Sequence, residues 1–159
     1  MKTLLAILFA MTPFLVAAAP PDKAREELNI QEAAIRYGWP KKVLREGDVS
    51  HAFYFLATFT GDRLTDPDDA LVKRFAGSQP PMKKMSAVDP AVHDRIVDKE
   101  TGKRGTRYNI GPINWISPTE VQVGYGYYSS PESGANCVFC LKKIKGQWTV
   151  FKTIMGDVS

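Results

Sequence analysis

Histidine and cysteine are both scarce, with two of each in 159 residues. That scarcity excludes several chemistries. No H-E-x-x-H motif is present, and Cys137 and Cys140 have no histidine nearby to complete a zinc set. A Ser-His-Asp triad would have to use His51 or His93, and neither Ser117-Pro118 nor Ser129-Ser130 is a nucleophile elbow. Gly102-Lys103-Arg104-Gly105-Thr106 lacks the first glycine of a phosphate loop, and Arg104 stands where Ser or Thr would hold magnesium. Asp62, Asp66, Asp68 and Asp69 do not follow the order of a calcium loop, which needs a glycine at its sixth position and a closing glutamate. No metal and no cofactor is expected.

Charge of one sign is not concentrated either. The net charge is +4, and the basic residues cluster only as pairs: Lys41-Lys42, Lys83-Lys84, Lys103-Arg104 and Lys142-Lys143. Without aromatics interleaved in a basic stripe, these read as a solvated surface and not as a nucleic-acid face.

Long apolar runs are confined to the N-terminus. Lys2 precedes apolar residues 4–11 and Phe14-Leu15-Val16, with Thr12-Pro13 between them. Val16-Ala17-Ala18 satisfies the small-residue rule for signal-peptide cleavage. Cleavage is expected after Ala18, because Pro20 would hinder the peptidase at the next site. Residues 4–16 as a helix would span only roughly 20 Å, against about 30 Å of hydrocarbon. Residues 1–18 are therefore expected to be a signal peptide and residues 19–159 a single domain. The expected address is the bacterial periplasm or the exterior, with no membrane anchor after cleavage.

An oxidising compartment invites a disulfide between Cys137 and Cys140. Residues 135–141 read as a strand, however, where positions three apart face opposite ways and lie about 10 Å apart. A disulfide needs Cα atoms within about 7 Å. Buried free thiols are the leading reading; a disulfide across a bulge and a redox pair are the alternatives.

The pattern along the domain runs from helix to strand. A helix ends near Tyr37, started either by Asn29 with Glu32 as a capping box or by Asp22 ahead of Lys23. Gly38 would close it as a C-cap, before Trp39-Pro40. Residues 50–59 alternate as a strand apolar on both faces. Asp66 would cap a second helix with Pro67 at its first position and Leu71, Val72 and Phe75 buried. Asp98 to Gly102 reads as a turn. Thereafter the chain is β to its end, with strands at residues 106–116, 121–127, 136–144 and 147–154. Pro118-Thr119 and Lys145-Gly146 make the turns, Gly146 supplying a positive φ. From the first turn, Trp115 should lie opposite Gln122 and Ile113 opposite Gly124. The fold class is α+β: early helices on a curved, mainly antiparallel sheet of about five to six strands, with a meander in the C-terminal half.

Tyr54-Phe55-Leu56, residues 66–75, residues 97–102, Asn114-Trp115-Ile116-Ser117 and residues 145–150 carry a family likeness. In these segments and in the order of elements, the chain resembles the NTF2-like (cystatin-like α+β cone) superfamily over residues 24–155. The early strand departs from that pattern. The resemblance implies an apolar pocket between the concave sheet and the helices, lined by Tyr54, Trp115, Tyr125, Tyr127 and Tyr128. Members range from isomerases and hydratases to binding modules, so fold does not set function. No Asp or Glu stands convincingly at an inward strand position, as an isomerase base would.

His51 shares a face with Phe53 and Phe55, and reads either as a hydrogen-bonded strand-end histidine or as a base. The expected function is that of an exported, non-enzymatic binding domain for a protein, a peptide or a small apolar ligand. An inhibitor or immunity-type protein is one version. The alternative is a pocket enzyme of isomerase or hydratase type, with Tyr54 and His51 as its acid–base groups.

Overall fold

The computed structural model describes residues 23–39 and 51–158. The leader and the charged turn-like stretch at residues 41–48 lie outside the described residues. Helix α1 (Lys23–Gly38) is the longer of the two helices that the sequence allows. Ile30, Ala34 and Ile35 form its buried stripe, the spacing of an amphipathic helix. Asn29 and Glu32 do not form a capping box. They lie inside α1, and each accepts a hydrogen bond of 2.8 Å from Arg74 Nη1. Gly38 is the last residue of α1 and is not among the glycines of positive φ. Its missing side chain makes room for the Tyr125 ring, which a Cβ at Gly38 would strike.

The strands are β1 (Phe53–Thr60), β2 (Arg63–Thr65), β3 (Met82–Lys84), β4 (Gly105–Ser117), β5 (Glu120–Ser130), β6 (Ser133–Ile144) and β7 (Gln147–Val158). They make one mixed sheet in the order β2-β1-β4-β5-β6-β7, with β3 also paired to β1. The class is α+β, and β4 to β7 form the C-terminal meander. The count reaches seven because β2 and β3 are three-residue strands. β1 runs parallel to β3 and β4, which requires the crossover between Thr60 and Gly105.

Helix α2 (Asp69–Lys73) lies within that crossover. Its cap is Asp68, which accepts from the Ala70 N–H at 2.7 Å, and not Asp66. Asp66 instead accepts from the Ser86 N–H at 2.7 Å, tying the next loop down.

The β4–β5 register is one residue from the expected one. Trp115 faces Val121 and Ile113 faces Val123, because a bulge at Ile116 lets Ser117 pair with Glu120. The glycine that Ile113 was to cover meets another glycine instead: a Cβ on Gly111 would lie 2.9 Å from the Gly124 Cα. In the β6–β7 hairpin, Lys145 (φ 49) and Gly146 (φ 81) both take positive φ, as a tight primed turn demands.

The two faces of the sheet are covered differently. α1 packs its buried stripe on Leu56, Tyr108, Ile110, Val121, Val123, Phe139, Leu141 and Trp148. Glu26 fastens its N-terminal turn to the last hairpin, accepting from Lys143 Nζ and Trp148 Nε1 at 2.8 Å each. Those two bonds hold the Glu26 carboxyl below the usual carboxylate range. On the opposite face Phe55 and Ala57 are fully buried, and Ile96 and Val97 are buried in the crossover. The crossover is tied to the sheet by the Gly105 N–H donating to the Ile96 carbonyl at 2.9 Å.

Candidate functional site

Alternation along β5 separates the expected lining residues. Tyr125 and Tyr127 take the α1 face with Tyr54 and Trp115, all packed within or against the main core. Tyr128 follows Tyr127 directly in the strand and turns to the opposite face. The structure therefore brings together four of the five.

Tyr54 and Tyr125 belong to a chain of aromatic contacts, and Trp115 to a separate pair. Tyr54 and Tyr108 meet at 5.3 Å between centroids, Tyr108 and Tyr125 at 6.2 Å, and Tyr125 and Phe139 at 4.7 Å. Trp115 meets Trp148 edge-on at 5.8 Å. Burial, then the neighbouring phenols, push the Tyr108 and Tyr125 hydroxyls well above the usual tyrosine range, and Tyr54 shares a hydrogen bond with Tyr108. The Tyr125 hydroxyl and Trp115 Nε1 are buried without a partner among the described residues. These aromatics serve first as core under α1.

His51 lies just ahead of β1. Its Nδ1 is 2.8 Å from the Thr106 hydroxyl, which is 2.9 Å from the Ser129 hydroxyl. Thr106 is fully buried. The Nδ1 side of His51 is thus turned to a buried hydroxyl pair. His93, by contrast, is exposed at the rim of a cleft.

Cys137 and Cys140 both lie on β6 and are free. Cys140 is buried, Cys137 packs against the core, and burial pushes the Cys137 thiol up, away from the thiolate that redox chemistry needs. After incubation in an oxidising glutathione buffer, alkylation and mass measurement are expected to find no Cys137–Cys140 disulfide. An intramolecular bond formed without unfolding would refute the strand-geometry argument.

A cleft of about 840 Å³ opens on the sheet face away from α1. Its floor comes from the sheet, as Arg107 and Tyr128, which share a rung with Phe55. Its walls come from the crossover: Met85, Val88, Val92 and Ile96, with Leu64 of β2 at one end. Arg107 Nε donates to Asn109 Oδ1 at 2.9 Å, and the guanidinium lies 5.5 Å from the Tyr128 ring centre. Burial draws the Arg107 guanidinium below its ordinary value, still far above neutral pH. Of the residues expected to line a pocket, only Tyr128 belongs to this cleft. Its one signal was Arg107 and Asn109 alternating with Tyr108 and Ile110, polar groups on a strand buried on both faces.

Among the described residues no three of His, Cys, Asp and Glu come together as metal ligands. No helix among them is long and apolar enough to cross a membrane. Fold and cleft define an α+β domain that carries a concave, mixed-polarity cleft on its sheet. Comparison with protein-family models, with curated proteins and with solved structures returns no significant match.

Proposed function

We propose that this chain is an exported, non-enzymatic binding domain that takes a small ligand in the cleft over Arg107 and Tyr128. The cleft carries the reading. Its volume, about 840 Å³, lies within the ordinary range of ligand sites, and apolar walls with a few convergent polar groups are the usual lining. The leader at residues 1–18 supports export. The early helix and the C-terminal meander agree with the NTF2-like resemblance, and the early strand β1 departs from it. The pocket-enzyme alternative rests on Tyr54 and His51, neither of which lines this cleft.

A neutral apolar dye, Nile red, tests the cleft without presupposing a charged ligand. Saturable one-site binding is expected, and Val92→Glu, in the crossover wall, should weaken it about tenfold or more, since burying an unpaired charge is costly. Absence of saturable binding, or equal binding by the folded variant, would remove the cleft as a ligand site.

A further inference from the structure

Arg107 differs from the other half-buried cations of this fold. Lys83 bonds Asp98 at 2.8 Å, Lys143 bonds Glu26 at 2.8 Å and Arg74 bonds Glu32 at 2.8 Å. Arg107 makes no salt bridge with any carboxylate among the described residues; its contacts are the Asn109 side-chain oxygen and the Tyr128 ring. A charge withdrawn from water is costly unless it is paired.

The other charged groups of the cleft hold bonds of their own. Asp66 accepts from the Ser86 N–H at 2.7 Å and Asp89 from the Ala91 N–H at 2.9 Å. Lys99 Nζ donates to the Ser86 carbonyl at 2.7 Å, and Arg95 pairs with its neighbour Asp94. On the floor of the cleft Arg107 is the one cation, and Met85, Val88, Val92 and Ile96 give the wall its apolar part, while Asp66, Asp89, Arg95 and Lys99 also line it.

We infer that the cleft recognises an organic monocarboxylate, its carboxylate held by Arg107 and its apolar body lying along Met85, Val88, Val92 and Ile96. This rests on reading the cleft as the ligand site. With Nε occupied by Asn109, the two terminal nitrogens remain, and their parallel N–H groups match the two oxygens of a carboxylate. One guanidinium balances one negative charge. Among the lining residues Asp66 and Asp89 offset Lys99 and Arg95, which leaves the one positive charge of Arg107, so a monoanion is a better complement than a phosphate dianion.

Displacement of bound Nile red by octanoate, octanamide and inorganic phosphate separates the possibilities. Octanoate is expected to displace the dye at a concentration about 10–100-fold below octanamide, the range a hydrogen-bonded charge pair provides. Arg107→Gln should abolish that preference, read as the ratio of octanoate to octanamide potency within the variant so that any change in Nile red affinity cancels. Equal potency of acid and amide, a preference that survives Arg107→Gln, or stronger competition by phosphate would overturn the assignment. Failure of Nile red to bind would instead remove the cleft itself, and the carboxylate site with it. Should the variant not fold, the wild-type protein decides: octanoate must shift the Arg107 Nε–H and Tyr128 ring resonances, and unmoved resonances refute the contact.

Discussion

Phe55→Ala is expected to lower the free energy of unfolding by about 3–5 kcal/mol. The ring is fully buried and shares a rung with Arg107 and Tyr128. Backbone closes on it from one side, since a Cβ at Gly105 would strike the Phe55 ring. Walls of hydrogen-bonded backbone do not collapse into a void, which places the cost in the upper half of the usual range for large-to-small substitutions. Domains of this size have roughly 5–15 kcal/mol to lose, so the variant should unfold at markedly lower urea. Phe55→Leu keeps most of the volume and should cost below about 1.5 kcal/mol. Unfolding followed by the fluorescence of Trp39, Trp115 and Trp148 measures both; a Phe55→Ala cost below about 1 kcal/mol would mean that the ring is not packed as described. The same residue supports the cleft floor, so dye binding should weaken in the variant before global unfolding.

Asp98→Asn is the second large effect, and it carries a pH signature. Asp98 is fully buried at the start of the turn that ends at Gly102. Its carboxylate accepts from Lys83 Nζ at 2.8 Å, from the Thr101 hydroxyl at 2.8 Å and from the Thr101 N–H at 3.2 Å. Burial alone would push the Asp98 carboxyl up; the bonds from Lys83 and Thr101 outweigh it and hold the group below the usual carboxylate range. Lys83 is a quarter exposed and also reaches Glu100 at 3.2 Å, so the pair is partly screened.

Removing the charge should cost about 2–4 kcal/mol at neutral pH. A depressed folded-state pKa gives stability that is complete above the unfolded value, about 3.9, and lost as pH falls through the folded one. The gap between wild type and Asp98→Asn should therefore be constant from pH 7 to about 5 and shrink below about 4. A gap independent of pH down to about 2 would show that the ionised form is not what the Lys83 and Thr101 bonds stabilise.

Local patterns foretold much of the fold. Alternation located β1 and the four long strands, because side-chain period in a strand is a property of the strand alone. Lys145-Gly146 marked its hairpin, because few residue types tolerate the φ values of a primed turn. Where residue chemistry had two uses, the local reading failed. Asn29 and Glu32 have the spacing of a capping box, yet they bind Arg74, the C-cap of the next helix. Gly38 has the position of a C-cap, yet it is required by the Tyr125 ring. Asp66 and Asp68 are equally good caps, and packing of the crossover chose Asp68.

The candidate site was legible only in part. Tyr54, Trp115, Tyr125 and Tyr127 share a face, as period two requires, but α1 fills the space above them and Tyr125 is buried. Tyr128 was assigned to the wrong side because it follows Tyr127 directly. The cleft it does line depends on residues 85–96 folding back over the sheet, a contact that no periodicity encodes.

By itself, then, the sequence determined the α+β class, the meander, the strand bearing both thiols and the lack of metal and nucleotide motifs, since each follows from residue type and short-range spacing. The tertiary structure alone decided the β4–β5 register, the parallel β1–β4 pairing and the meeting of Arg107 with the crossover. The physical reason is that these depend on which distant segments touch. A single bulge shifts a register by one residue, and in a sheet one residue is the difference between the two faces.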